Sequence, residues 1–126
     1  MLESARVGHL AFNDDRDHPR VLPVTYALAE GAIWSAIDDK PKREGEPARL
    51  RYLCRRPAAG LCVDLYDDDW SRLAWVQLGG RVEILELGAG AAGLAALTGK
   101  YAPYREQEPP GPLLRLAVER AICWRA

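Results

Sequence analysis

A hydroxyl and a run of cations stand close together in Ser35-Ala36-Ile37-Asp38-Asp39-Lys40-Pro41-Lys42-Arg43. A phosphate is held by this combination. Lysine and arginine supply charge, while a serine hydroxyl and backbone N–H groups supply direction. Between Lys40 and Arg56 there are seven basic residues and two acidic ones, a local net of +5 in a chain of net charge −1. A helix beginning near Ala48 would add the positive end of its dipole. The plainer reading is a cationic loop that faces water, and the residue types alone leave both open.

Val21-Leu22-Pro23-Val24-Thr25 is a second such place. A proline in an extended run marks an edge, a bulge, or backbone left free of a neighbouring strand. Beside the Thr25 hydroxyl, free amides and carbonyls could bind the rim of a planar heterocycle. Four tryptophans stand against one phenylalanine. Their flat faces suit a ring system or a subunit contact as well as a core. Asp64, Asp67, Asp68 and Asp69 read as a solvated turn, since their spacing matches no cation-binding loop. Cys54, Cys62 and Cys123 lack a CxxC spacing and read as three reduced, mostly buried thiols. His9 and His18 are too separated for a zinc site.

These residues need elements to place them. Strands are expected over 7–12, 20–28 and 32–37, as a three-stranded antiparallel meander. On the third, Ile33, Ser35 and Ile37 share one face and Trp34 and Ala36 the other. A loop follows over 38–47. Leu50, Leu53 and Cys54 then form a helical stripe over 48–56, ringed by Arg49, Arg51, Arg55 and Arg56. Strands are expected over 61–66, 73–78 and 81–87, with Gly79-Gly80 as a hairpin turn or a bulge. The Gly/Ala-rich stretch 88–101 has Leu94, Leu97 and Tyr101 at helical spacing. The proline-rich 102–112 reads as a loop and 113–124 as a last strand. Antiparallel strands without βαβ alternation point to a mainly β domain spanning 1–126, a small closed or nearly closed barrel.

Composition sets limits. The 126 residues are 48% hydrophobic and 28% charged, ordinary for one globular domain. Net charge −1 gives no overall field to attract nucleic acid or an anionic membrane. No apolar run is long enough for a membrane span and no leader pattern is visible, so a cytoplasmic protein is expected.

The segments "LAFNDDRDHPRVLPVTYAL", "IWSAIDDKPKR", "LRYLCRRPAAGLCVDLYDDDW", "WVQLGGRVEIL" and "KYAPYREQEPPGPLLRLAVERAICW" together resemble the flavin/deazaflavin oxidoreductase superfamily. These are split β-barrels similar to pyridoxamine 5′-phosphate oxidase. The "DxKPKR" and "YDDDW" pieces resemble its actinobacterial F420-dependent branch. The resemblance implies a six-stranded antiparallel split β-barrel with short helices. It also implies a homodimer with cofactor grooves between subunits, and non-covalent F420 or, alternatively, FMN. Pro23, Val24 and Thr25 would lie along the ring system. Ser35 and Ala36 would approach the ribityl chain and phosphate, and Lys40, Lys42 and Arg43 would hold the phosphate. Arg49 and Arg51 would face the oligoglutamate tail of F420. Gln77 would be a polar contact, and Trp124 would come from the partner subunit. The implied reaction is hydride transfer to an electron-poor small molecule, with no obligate catalytic side chain and Tyr66 as one proton donor. A non-catalytic module binding F420, FMN or haem is the alternative from another class. Few residues precede the first strand, where relatives carry a longer helix, so one wall of the site is expected to be reduced.

Overall fold

The computed structural model describes residues 1–37 and 48–126. Seven strands form one antiparallel sheet: β1 (Gly8–Asn13), β2 (Pro19–Val24), β3 (Ala27–Ala29), β4 (Ala32–Ala36), β5 (Ala58–Leu65), β6 (Ala74–Leu85) and β7 (Leu113–Arg125). Their spatial order is β2-β1-β5-β6-β7-β4-β3. Helix α1 (Ala48–Arg55) precedes β5, and α2 (Ala91–Lys100) and α3 (Ala102–Glu106) lie between β6 and β7.

The sheet has seven strands rather than six, and it is not closed. The stretch expected as one strand over 20–28 breaks at Thr25-Tyr26. Its first half pairs only with β1 and its second half only with β4. A three-stranded meander is therefore not formed. Instead the sheet's two edges, β2 and β3, follow one another in the chain across a two-residue seam. The physical reason is where the seam's backbone groups go. Ser35 Oγ donates to the Thr25 carbonyl at 2.7 Å, and the Tyr26 N–H donates to Tyr101 Oη at 3.1 Å. Lys100 Nζ donates to the Tyr26 carbonyl at 2.9 Å. Side chains satisfy what a strand ladder otherwise would.

Gly79-Gly80 is a bulge within one long strand, not a hairpin. Gly79 faces Arg120 and Gly80 faces Val118, so Glu119 on β7 is left over. A Cβ on Gly80 would stand 1.9 Å from the Ala117 carbonyl oxygen, so no side chain fits there. The proline-rich stretch also differs from expectation, since its start forms α3. Pro103 lies in that helix's first turn, where a missing N–H costs nothing.

Two apolar cores result. Inside the curl of the sheet, Leu10, Phe12, Tyr26, Ile33, Leu61, Val63, Leu78, Val82, Leu114 and Leu116 pack with Leu50 and Leu53 of α1. Outside β4, Trp34, Ala36, Leu97, Tyr101 and Leu113 form the second core under α2. The two faces expected of β4 are thus both buried. The α1 stripe is narrower than expected, because Leu50 and Leu53 are buried while Cys54 is exposed. All three thiols are free, but Cys123 is exposed as well and Cys62 only half-buried, so the expectation of mostly buried cysteines fails. Cys54 lies on a helix that covers one end of the barrel, and Cys123 on an end of β7 that no helix covers.

Candidate functional site

The site begins at the seam. Pro23 is exposed on the edge of β2, opposite His9, and Val24 is half-buried against the barrel core. Thr25 lies at the seam itself, its Oγ1 2.7 Å from Tyr104 Oη. Ser35 is 7% exposed and its hydroxyl proton is committed to the Thr25 carbonyl. The structure therefore brings Thr25 and Ser35 together through a direct bond. Ala36 follows, but its side chain is buried in the core under α2. Lys40, Lys42 and Arg43 lie outside the described residues.

The basic residues of α1 have acidic neighbours that sequence spacing did not reveal. Arg55 Nη1 and Arg51 Nε lie 2.9 Å and 3.4 Å from the same Asp15 oxygen. Arg56 donates to the Asp14 carbonyl at 2.8 Å, and Arg20 lies 3.6 Å from the Asp14 carboxylate. The turn between β1 and β2 thus places Asp14 and Asp15 against the helix. Asp14 accepts the N–H groups of His18 and Arg16, both at 2.9 Å. Chiefly the His18 bond holds its carboxyl below the ordinary value, against the opposing effect of desolvation. Arg49, also on α1, is half-buried. The +5 read along the chain is partly neutralised in space.

A third part is the outer face of the sheet. Cross-strand partners in an antiparallel sheet put their side chains on the same face. Pro23, His9, Cys62, Gln77 and Ile122 are such partners in succession across β2, β1, β5, β6 and β7. The next row is Val21, Ala11, Gly60, Gly79 and Arg120. Small residues in the middle of this second row leave a concave surface, enclosing about 720 Å³. Trp75 and Trp124 stack at its end, with ring centroids 6.5 Å apart. Val21, Ile122 and Trp124 are 66%, 55% and 44% exposed, so this face is an apolar patch open to solvent. Pro23, Gln77 and Trp124 thus belong to one surface, although they come from three distant parts of the chain.

Other features have plainer roles. Burial, then the Asp64 carboxylate, push the Cys62 thiol up, which disfavours a thiolate nucleophile. Asp69 accepts from Ser71 N and Oγ and so caps the short turn Trp70–Arg72. Tyr66 is exposed and donates to Asp68 at 3.1 Å. Sequence reasoning missed Lys100, Tyr101 and Tyr104, which contact the seam from 75 or so residues away. No local pattern reports a contact of that separation.

No family model matches the chain, and no curated protein matches it. Solved structures do. A conserved hypothetical protein of Mycobacterium tuberculosis aligns with a TM-score of 0.79 at 22% identity, over 98% of this chain and 79% of that one. An FAD-binding protein of Mesorhizobium loti aligns at 0.73 and 20% identity, over 97% and 87%. A heme-binding protein of Mycobacterium smegmatis aligns at 0.73 and 24% identity, over 97% of this chain but 53% of that one, so this chain spans about half its length. At such identities the likeness concerns architecture, and on that ground the chain has a mainly β, split-barrel-like fold.

Proposed function

We propose that the chain is a redox-cofactor-binding oxidoreductase that uses the deazaflavin F420 and works as a homodimer. The observation that carries the reading is the concave apolar sheet face that runs to the hydroxyl-lined seam. A flat ring system fits such a place chemically: apolar and aromatic surface on one side, Pro23 and the Thr25 and Ser35 hydroxyls at the rim. In this reading Pro23, Val24 and Thr25 border the ring, Ser35 and Ala36 mark the ribityl end, and Lys40, Lys42 and Arg43 hold the phosphate. Arg49, beside them on α1, adds charge. The exposed Val21, Ile122 and Trp124 are covered by a second copy, which supplies Gln77 and Trp124 to the groove.

A bound deazaflavin supplies a two-electron hydride for an electron-poor double bond or carbonyl. The protein binds it, keeps ring and acceptor in register, and excludes bulk water; the proton comes from solvent. The small-molecule acceptor is taken up in the remaining groove. Among the described residues no helix is long and apolar enough to cross a membrane; a cytoplasmic location remains part of this proposal.

FMN is the second reading, favoured by the FAD-binding neighbour. A non-catalytic carrier is the third, favoured by the heme-binding one. Titration of the purified protein with F420, FMN and haemin, followed by tryptophan fluorescence, separates them. Micromolar F420 binding supports the proposal. FMN or haemin binding without F420 overturns it in favour of the corresponding alternative. Replacing Lys42 and Arg43 together by alanine should weaken cofactor binding, since a charge-assisted phosphate bond contributes about 1.5–3 kcal/mol. Sedimentation of a single-copy species alone would remove the dimer from the proposal.

A further inference from the structure

The seam that joins the two sheet edges is braced from behind by one short stretch of chain. Lys100 and Tyr101 take up the backbone groups of Tyr26. Tyr104 does something different, because it meets the side chain of Thr25, Oη to Oγ1 at 2.7 Å. The brace is itself well anchored. Tyr101 and Tyr104 pack edge to face with centroids 5.7 Å apart. Arg105 Nη1 donates to the Thr98 and Gly99 carbonyls at 2.9 and 3.0 Å, tying α3 to the end of α2.

We propose that Tyr104 is a positioning residue of the cofactor groove, fixing the rotamer of Thr25 and the direction of its hydroxyl. This rests on the cofactor-binding reading above. The argument is one of elimination. The Thr25 carbonyl is already satisfied by Ser35, so the backbone does not require Tyr104. Packing does not require it either, since valine at 25 and phenylalanine at 104 would fill nearly the same space. What two hydroxyls add is orientation. Threonine is stiff at χ1, and a bond to its Oγ1 selects one rotamer. That rotamer decides what the rim beside Pro23 presents to a ring.

A double-mutant cycle tests this with Thr25→Val, Tyr104→Phe and the pair, measuring both thermal stability and titration with F420 and with FMN. Each single variant leaves a part-buried hydroxyl unpaired and should lower Tm. Removing both partners should restore it, because paired apolar replacement is nearly neutral. Cofactor affinity should behave differently. Tyr104→Phe should lose about tenfold for whichever cofactor the wild type takes up. The double variant should stay weak, and the absorption band of the bound cofactor should shift in both. Affinity that recovers together with Tm in the double variant overturns the proposal, as does Tyr104→Phe binding like the wild type. Wild-type protein that takes up neither cofactor overturns the reading beneath it, a result distinct from the other two.

Discussion

Gly93 lies against the indole of Trp34 so closely that a Cβ there would stand 2.1 Å from the ring. Trp34 is 3% exposed, held between β4 and α2, and its Nε1 donates to the Ala29 carbonyl at 3.0 Å, so it has no room to yield. The glycines of α2 therefore have opposite meanings at different positions. Gly99 has nothing within 4 Å of where its Cβ would be.

Gly99→Ala should raise Tm, because alanine is worth up to about 1 kcal/mol over glycine inside a helix. Gly93→Ala gains the same propensity but must displace a buried ring, and overpacking costs about 1–3 kcal/mol. Its Tm should fall. Thermal unfolding of the two variants side by side checks the sign, and a Gly93→Ala protein as stable as the Gly99→Ala one would contradict the packing described.

Much of this was legible in short-range pattern and little of it beyond. The two faces of β4 and the period-two burial in β5 follow from alternation alone, because a strand can only point side chains two ways. The stretch 88–101 has helical spacing, yet its glycines make sense only once Trp34 is seen beneath them. Gly79-Gly80 left two geometries open, and the partner strand decides between them. Three features had no local signal at all. The break at Thr25-Tyr26 depends on Lys100 and Tyr101. The pairing of Arg51 and Arg55 depends on Asp15, across the barrel end. The row from Pro23 to Ile122 depends on the register of five strands. Tertiary contacts of this separation are what a single sequence does not display.

The cysteines offer a chemical check on burial. Cys54 and Cys123 are exposed, whereas Cys62 is half-buried between His9 and Gln77 on the sheet face, with its thiol pushed up by burial and by Asp64. Alkylation at neutral pH, read by peptide mass spectrometry, should modify Cys54 and Cys123 well before Cys62. If the sheet face is covered by a second copy, dilution below the dimer's dissociation constant should speed Cys62 selectively. Cys62 reacting first would place it outside the concave face.

Alkali should reach the seam through Tyr26. Burial, and then Tyr101, push its hydroxyl from 10.0 up to about 12. The folded state thus holds this proton more tightly than the unfolded one. Its contribution to stability is whole below pH 10 and is lost as pH climbs toward 12. Lys100 works the other way, since burial and then Arg6 lower its pKa below 10.5. The cost of keeping that amine charged lifts as pH approaches 10.5, so stability gained there partly offsets what Tyr26 begins to lose. Unfolding free energy should therefore change little up to about pH 10.5 and fall steeply above it. The tyrosinate absorption band should show one late-titrating group. Tyr26→Phe should abolish that late step, and its persistence in the variant would assign it elsewhere.

Asp15 separates the two flavin-type readings. Its single carboxylate oxygen receives both Arg55 and Arg51, whose side chains are otherwise 61% and 52% exposed. The acidic tail of F420 would compete for the same guanidinium groups, and FMN has no such tail. Asp15→Asn removes the competitor while leaving the shape of the turn. Exposed pairs are worth only about 0.2–1 kcal/mol each, so the expected gain in F420 affinity is a few-fold, largest at low salt. FMN affinity should hardly move, because its phosphate is assigned to Lys40, Lys42 and Arg43. Fluorescence titrations at two ionic strengths measure both. Equal improvement for the two cofactors would mean a diffuse charge effect. No improvement for F420 would mean that its tail does not run past Arg51 and Arg55, which would leave the excess of cations along this segment explained by Asp14 and Asp15 alone.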